Sequence, residues 1–267
     1  MTDHSCTPQA PRLDIHPLSG VERNLVDDMI RSLSRPDAVV EQVTAGPKFI
    51  AVEAGGRMGI ASLLGARHGK DETGMAEELI GMKAAQAAWL LREPSPFAVC
   101  LGLAALNAAV TPDPDSLPEE NASAETLIAE LGRNKAVGIV GDFPFTGALR
   151  ETAGELHLFE LRDVPGSVPR DRWEKVLIGL DVLAVTGTAL LTRQMGYFLA
   201  QAYNAVSVVL GPSTPMSQSL FRFGADYLCG SVVVDPGPVL EGIRKGLPFR
   251  AIKKRGGIRF VRWAAQG

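Results

Sequence analysis

The run AVGIVGDFPF, residues 136–145, reads as a short apolar strand that ends in a glycine turn and leads into a helix. DVLAVTGTALL at 181–191 and VSVVLGPSTP at 206–215 repeat the pattern, now with hydroxyl-bearing turns. With further apolar runs at 156–161 and 231–234, strand starts recur about every twenty to twenty-five residues, a strand plus one crossover helix. The stretches 170–180, 189–202 and 216–223 have room for one helix each. Such alternation predicts an α/β fold, a parallel sheet with helices on both faces. All the turns then share one edge, at the carboxyl ends of the strands, where open α/β sheets bind ligands.

Upstream the pattern is different. Residues 20–34 have apolar positions at helical spacing, and the Arg35-Pro36 step ends that helix. Strand-like runs follow at 38–43, 49–53 and 58–63, with Pro47 and Gly55-Gly56 as turns, so an antiparallel meander is expected. Apolar helices are expected near 76–91 and 96–110. Residues 13–111 thus read as an α+β domain of ordinary size. The segment TPDPDSLPEENASA (111–124) is rich in proline and acid, which marks 112–123 as a linker and 124–267 as a second domain. Residues 1–12 read as a disordered tail. In the run 248–263, Gly256-Gly257 separates two apolar-basic stretches, and a terminal hairpin is expected there.

Bulk composition bounds the function. The 267 residues are 46% hydrophobic and 21% charged, with net charge −3. That balance is globular and argues against a surface built for nucleic acid. The basic cluster at 244–262 (Arg244, Lys245, Arg250, Lys253, Lys254, Arg255, Arg259, Arg262) reads as a solvated face. No run approaches a membrane span and the amino terminus lacks a signal pattern, so cytoplasm is the expected location and a membrane is not an expected partner. Cys6, Cys100 and Cys229 are far apart without Cys-x-x-Cys spacing, as reduced thiols would be. His4, His16, His68 and His157 show no metal-ligand spacing. Neither a Gly-x-Ser-x-Gly elbow nor a phosphate loop occurs in the sequence.

The turns themselves carry the chemistry. Gly138 and Gly141 let a backbone approach a ligand, and the helix that follows offers unpaired N–H groups. The dinucleotide fingerprint is nonetheless broken, because Phe143 and Pro144 stand where its spacing needs glycine. Glu160 falls where a ribose-binding acid would, but without the fingerprint NAD is not the expected cofactor. In Thr186-Gly187-Thr188 either threonine can cap a helix, which leaves one hydroxyl for a ligand. Thr214 and Pro215 read as a helix start, N-cap followed by first turn. That leaves Gly211-Pro212-Ser213 as a rigid turn presenting a hydroxyl and backbone donors. Gly230, before the last strand, and Asp235-Pro236, after it, complete the rim.

Taken in order, VGIVGDFPF (137–145), LFEL (158–161), DVLAVTGTALL (181–191), GPSTP (211–215) and GSVVVDP (230–236) resemble the putative heavy-metal chelation family of prokaryotic proteins. Leu106-Asn107-Ala108 is similar to that family's Leu-Asn-Ala element. The resemblance implies an enolase amino-terminal-like domain followed by a Rossmann-like domain, with a cleft between them. It places Asn107, Gly141, Phe143, Pro144, Glu160, Thr186, Gly187, Thr188, Gly211, Ser213 and Thr214 in that cleft, and the reading of the turns adds Pro212 and Gly230 as expected ligand contacts. The expected function is binding of a small polar or anionic ligand, a metal ion or metal complex included. Asp142 and Glu160 are the candidate metal ligands, and hard oxygen ligation of that kind suits magnesium or calcium better than a soft heavy metal. A metal held inside an organic chelator escapes that objection. The alternative is a transferase or lyase in the same cleft with Glu160 or Asp142 as acid–base. A homo-oligomer remains open.

Overall fold

The computed structural model describes residues 15–65, 70–112, 123–141, 143–162 and 164–266, with the backbone alone for 70–73. The tail 1–12, most of the linker (113–122), Cys6, His4, His68 and Asp142 lie outside the described residues.

Helix α1 (Gly20–Arg31) starts where the Ser19 side chain accepts a hydrogen bond from the Glu22 amide. Strands β1 (Val40–Ala45), β2 (Phe49–Ala54) and β3 (Arg57–Ser62) form the expected antiparallel meander. The helix expected at 76–91 is instead α2 (Lys70–Glu78), α3 (Ala84–Ala88) and a 3-10 turn at Trp89–Arg92. Gly81 has φ of +86°, and its neighbourhood pairs with the start of β1: Val40 N donates to Met82 O, and Gly81 N to Val40 O. Those backbone bonds are unavailable to a continuous helix. Helix α4 (Pro96–Val110) begins with a Ser95 cap and proline in the first turn, as its sequence predicts.

Alternation sorts β2 between two cores. Ile50, Val52 and Ala54 join the core that holds α4, while Phe49 and Ala51 join Met58 and Ile60 in another. Where α4 crosses β3, a β-carbon on Gly59 would lie 2.1 Å from the Ala104 carbonyl oxygen.

The second half runs α5 (Ala124–Leu131), β4 (Ala136–Val140), α6 (Thr146–Leu149), β5 (Glu155–Phe159), α7 (Trp173–Ile178), β6 (Val182–Thr186) and α8 (Met195–Gln201). It continues through β7 (Val206–Leu210), α9 (Gln218–Arg222), β8 (Tyr227–Val233), α10 (Pro236–Arg244), α11 (Phe249–Lys254) and β9 (Ile258–Ala264). The sheet order is β5-β4-β6-β7-β8-β9, with the first five strands parallel and β9 antiparallel to β8. Helices cover both faces. Val182 and Ala184 pack with Leu127 and Ile128 of α5, whereas Leu183 and Val185 pack with Leu177 of α7 and Phe198 of α8. The chain is therefore an antiparallel three-stranded α+β domain followed by a mostly parallel six-stranded sheet with helices.

Four local expectations are corrected. The helix expected at 189–202 is interrupted at Arg193, whose φ is +59°. Gly230 lies inside β8, not before it. Thr214-Pro215 does not start a helix: Thr214 N closes a turn onto Gly211 O, and α9 begins only at Gln218, capped by Ser217. The terminal run is no hairpin, since its first half is α11 and its second half, β9, pairs with β8. Several of its cations are engaged locally. Lys245 and Arg255 both bond Glu241, and Lys253 lies 3.7 Å above the Phe260 ring.

The two halves share a buried seam. Val233, Val239, Ile243 and Ile252 cover the β2–β3 face away from α4, and α1 packs on α8 and α9. Gly46 marks how closely they meet, for a β-carbon there would lie 2.0 Å from the Ile243 carbonyl oxygen.

Candidate functional site

Parallel strands put every carboxyl end on one edge, and the turns that leave it touch in series. Gly141 N donates to Phe159 O at 3.2 Å, which sets the β4 turn beside Glu160. A β-carbon on Gly141 would lie 3.0 Å from Thr186 Cγ2, and one on Gly187 would lie 2.5 Å from Thr214 N. Gly211 N in turn donates to Cys229 O at 3.1 Å. The rim thus runs Glu160, Gly141, Thr186 to Thr188, then Gly211 to Thr214. Its middle is special. From β4 the chain first steps to β5 and then crosses to β6 on the other side, so strand order reverses between Gly141 and Thr186. Adjacent turns diverge at such a point and leave a crevice.

On either side of the Thr186–Thr188 turn, Gly141 and Gly211 hold φ of +100° and +109°, the left-handed region that glycine enters without a Cβ penalty. Nothing approaches within 4 Å of a β-carbon built on Gly211. Thr186 is the cap of its pair: its Oγ1 accepts from Thr188 N at 3.3 Å and lies 2.9 Å from Thr188 Oγ1. Both threonines are half-buried. Phe143 stacks on Phe145 with centroids 5.1 Å apart, and Pro144 is exposed beside them.

Other expected residues form a second, buried group on the seam. Ser213 Oγ accepts from Ser62 N at 2.9 Å and its hydroxyl donates to Ser62 Oγ at 3.0 Å. Asn107 Nδ2 donates to Ile60 O at 2.8 Å and Ser213 O at 3.4 Å. Both acceptors are carbonyls, so the amide orientation is fixed and Oδ1 faces away from them. Asn107 Oδ1 and Thr214 Oγ1 are buried with no hydrogen-bond partner among the described residues. Gly230 lies beneath this loop, where a β-carbon would meet Met216 Sδ at 2.6 Å. Pro212, half-buried, joins the two groups. Sequence reading missed Ser62, which has no local signal and meets Ser213 across 151 positions.

A soft-metal centre does not fit the described residues, among which no group of three or more His, Cys, Asp and Glu is placed to hold an ion. Burial pushes the Cys100 thiol up to about 12 and the Cys229 thiol up to about 11, so both stay protonated, and it is the thiolate that binds metal. His157 sits within β5 against Glu155 at 3.2 Å.

Two family models, each described as putative heavy-metal chelation, match this chain, one over residues 124–262 and the other over 26–110. The crystal structure of a protein of unknown function from Desulfitobacterium hafniense is similar at TM-score 0.78 and 20% identity, covering 91% of this chain and 98% of its own. One from Pyrococcus horikoshii, also of unknown function, is similar at TM-score 0.69 and 16% identity, covering 94% and 100%. At such identities the likeness shows the fold. No curated protein matches the chain.

Proposed function

We propose, from the premise that the chain belongs to the putative heavy-metal chelation family, that it binds a small oxyanion-bearing ligand at the crevice between Gly141 and Thr186. The observation that carries this reading is the reversal of strand order at that point, flanked by left-handed glycines and paired threonine hydroxyls. Backbone N–H groups near Gly141 and Gly211, with the Thr188 hydroxyl, supply donors for an anion. Glu160 and Asp142 orient it or hold a hard cation alongside. A metal enters as cargo, inside a chelator whose carboxylates these donors grip, because the described side chains offer a bare soft ion no cluster. We assign 13–111 and 124–267 as the two domains and 112–123 as their linker. The protonated, free Cys100 and Cys229 suit a reducing cytoplasm.

Calorimetry with citrate, iron(III) citrate and nickel(II) chloride tests the reading. Citrate and its iron complex are expected to bind, and nickel chloride not to. Thr188→Val should weaken citrate about tenfold, the loss of one hydrogen bond to a charged group. Gly211→Ala should weaken it as well, through strain at φ of +109° without a clash. Wild-type affinity in both variants, or nickel binding alone, removes the crevice from consideration. Turnover of a bound ligand, lost in Glu160→Gln while binding persists, would instead favour the lyase or transferase reading.

A further inference from the structure

Glu22 is the most deeply buried acid described, with 1% of its surface exposed, and it belongs to one half of the chain while its partners belong to the other. Projecting from α1, its Oε1 accepts from the Tyr197 amide at 3.0 Å, and the Gly196 amide beside it also favours the charged carboxylate. The fit is close at Gly196. A β-carbon on Gly196 would lie 3.3 Å from Glu22 Oε1 and 3.2 Å from Val21 Cγ2.

We propose that Glu22 is a proton-controlled latch on the seam, holding α1 against α8 when its carboxyl is neutral and loosening that contact when it ionises.

Several charged groups near Glu22 have partners of their own. The Arg193 guanidinium donates to the carbonyls of His16 and Glu93. On α1 itself, Asp27 pairs with Arg92 at 3.5 Å and Arg31 at 3.9 Å, and Asp28 pairs with Arg222. The Glu174 charge from α7 acts on the Tyr197 hydroxyl. What dominates at Glu22 is burial, which raises its pKa to about 7 against the opposing pull of the two amides. An ionised Glu22 is therefore better hydrated than buried, and an open seam is where it finds water.

The latch sits where movement would matter. Helices α8 and α9 follow the turns Thr186–Thr188 and Gly211–Thr214, and α1 packs on both. A second tie, Ser32 Oγ to Ser219 Oγ at 2.8 Å, fixes α1 to α9. Loosening α1 thus frees the helices that back the two rim turns. The latch stands without the ligand reading; only this consequence for the rim rests on it.

The sign follows from linkage. An acid whose pKa is higher in the closed state favours closure at low pH and loses that contribution as pH rises through the closed-state value. Between an open-state value of 4.5 and a closed-state value of about 7, opening should increase about tenfold from pH 6 to pH 9. Hydrogen exchange of the ligand-free full chain reads this out. Protection factors at Gly196 and Tyr197, corrected for intrinsic rate, should fall about tenfold over that range, while those in β6 and β7 stay level. Glu22→Gln keeps an acceptor and cannot ionise, so its protection should be flat with pH. Should the variant misfold, carboxyl carbon NMR of the wild type decides, with titration near 7 expected. Flat wild-type protection, an equal fall in Glu22→Gln, or titration near 4.5 overturns the latch.

Discussion

Gly59→Ala is expected to lower the stability of the chain by about 3 kcal/mol, the upper end of what overpacking a core costs. The reason is what the new methyl would meet. It would lie 2.1 Å from Ala104 O, 2.2 Å from Ala108 N and 2.7 Å from Asn107 C, all of them backbone atoms of α4. A side chain in that place could change rotamer, but a helix backbone can only move away as a whole. Fourteen of the fifteen α4 residues are buried, so any such shift opens gaps along its length. It would also displace Asn107, and with it the tie to Ile60 and Ser213. Urea denaturation of Gly59→Ala beside Gly20→Ala checks this. Gly20 opens α1 with nothing within 4 Å of a β-carbon, so alanine there should be neutral or stabilising by up to about 1 kcal/mol. Equal midpoints for the two variants would mean that α4 yields freely to β3 and that the contact at Gly59 is not tight.

The alternation of strands and helices was legible because each signal is local. Apolar runs with glycine turns gave β4, β6 and β7 nearly residue for residue, and Ser95-Pro96 gave the start of α4. The rim followed from topology, since parallel strands must gather Gly141, Thr186 and Gly211 on one edge. Long-range competition decided the misreadings. Thr214-Pro215 carries a strong local helix start, yet the loop turns back at Gly211–Thr214 and delays the helix to Gln218, because Ser213 is drawn onto Ser62. Gly81 and Met82 give up helix for backbone bonds to Val40 at the start of β1. In the tail, β9 takes the open edge of β8 in preference to pairing with its own neighbour. The site splits for the same reason. Thr186, Thr188 and Gly211 remain beside the point where strand order reverses, whereas Asn107, Ser213 and Thr214 are taken up by a seam that no stretch of sequence announces.

That division can be tested at Asn107, where a structural tie and a cation ligand call for opposite outcomes. Asn107→Asp puts a carboxylate oxygen where Nδ2 now donates to Ile60 O and Ser213 O, at a position 6% exposed. Two carbonyls lose their donor and face a buried, unpaired negative charge. The expected loss at pH 8 is about 3–5 kcal/mol, the range for an uncompensated buried charge. Burial and the facing carbonyls both raise the pKa of the introduced acid, so the penalty belongs to the ionised form. Relative to wild type at the same pH it should shrink as the solution is taken from pH 8 to pH 5, where the neutral acid can donate one hydrogen bond. Asn107→Leu, which removes the donors without adding charge, should cost about 1–3 kcal/mol at either pH. If instead Asn107 Oδ1, without a partner among the described residues, were a ligand for a cation, aspartate would strengthen the site. Thermal melts with 1 mM magnesium, calcium or nickel chloride would then restore or raise the stability of Asn107→Asp. No such rescue is expected, because the carboxylate would sit against carbonyl oxygens already committed to joining β3 and the Gly211–Thr214 turn. A metal-dependent rise in melting temperature for Asn107→Asp, absent in Asn107→Leu, would move the cation from the rim into the seam.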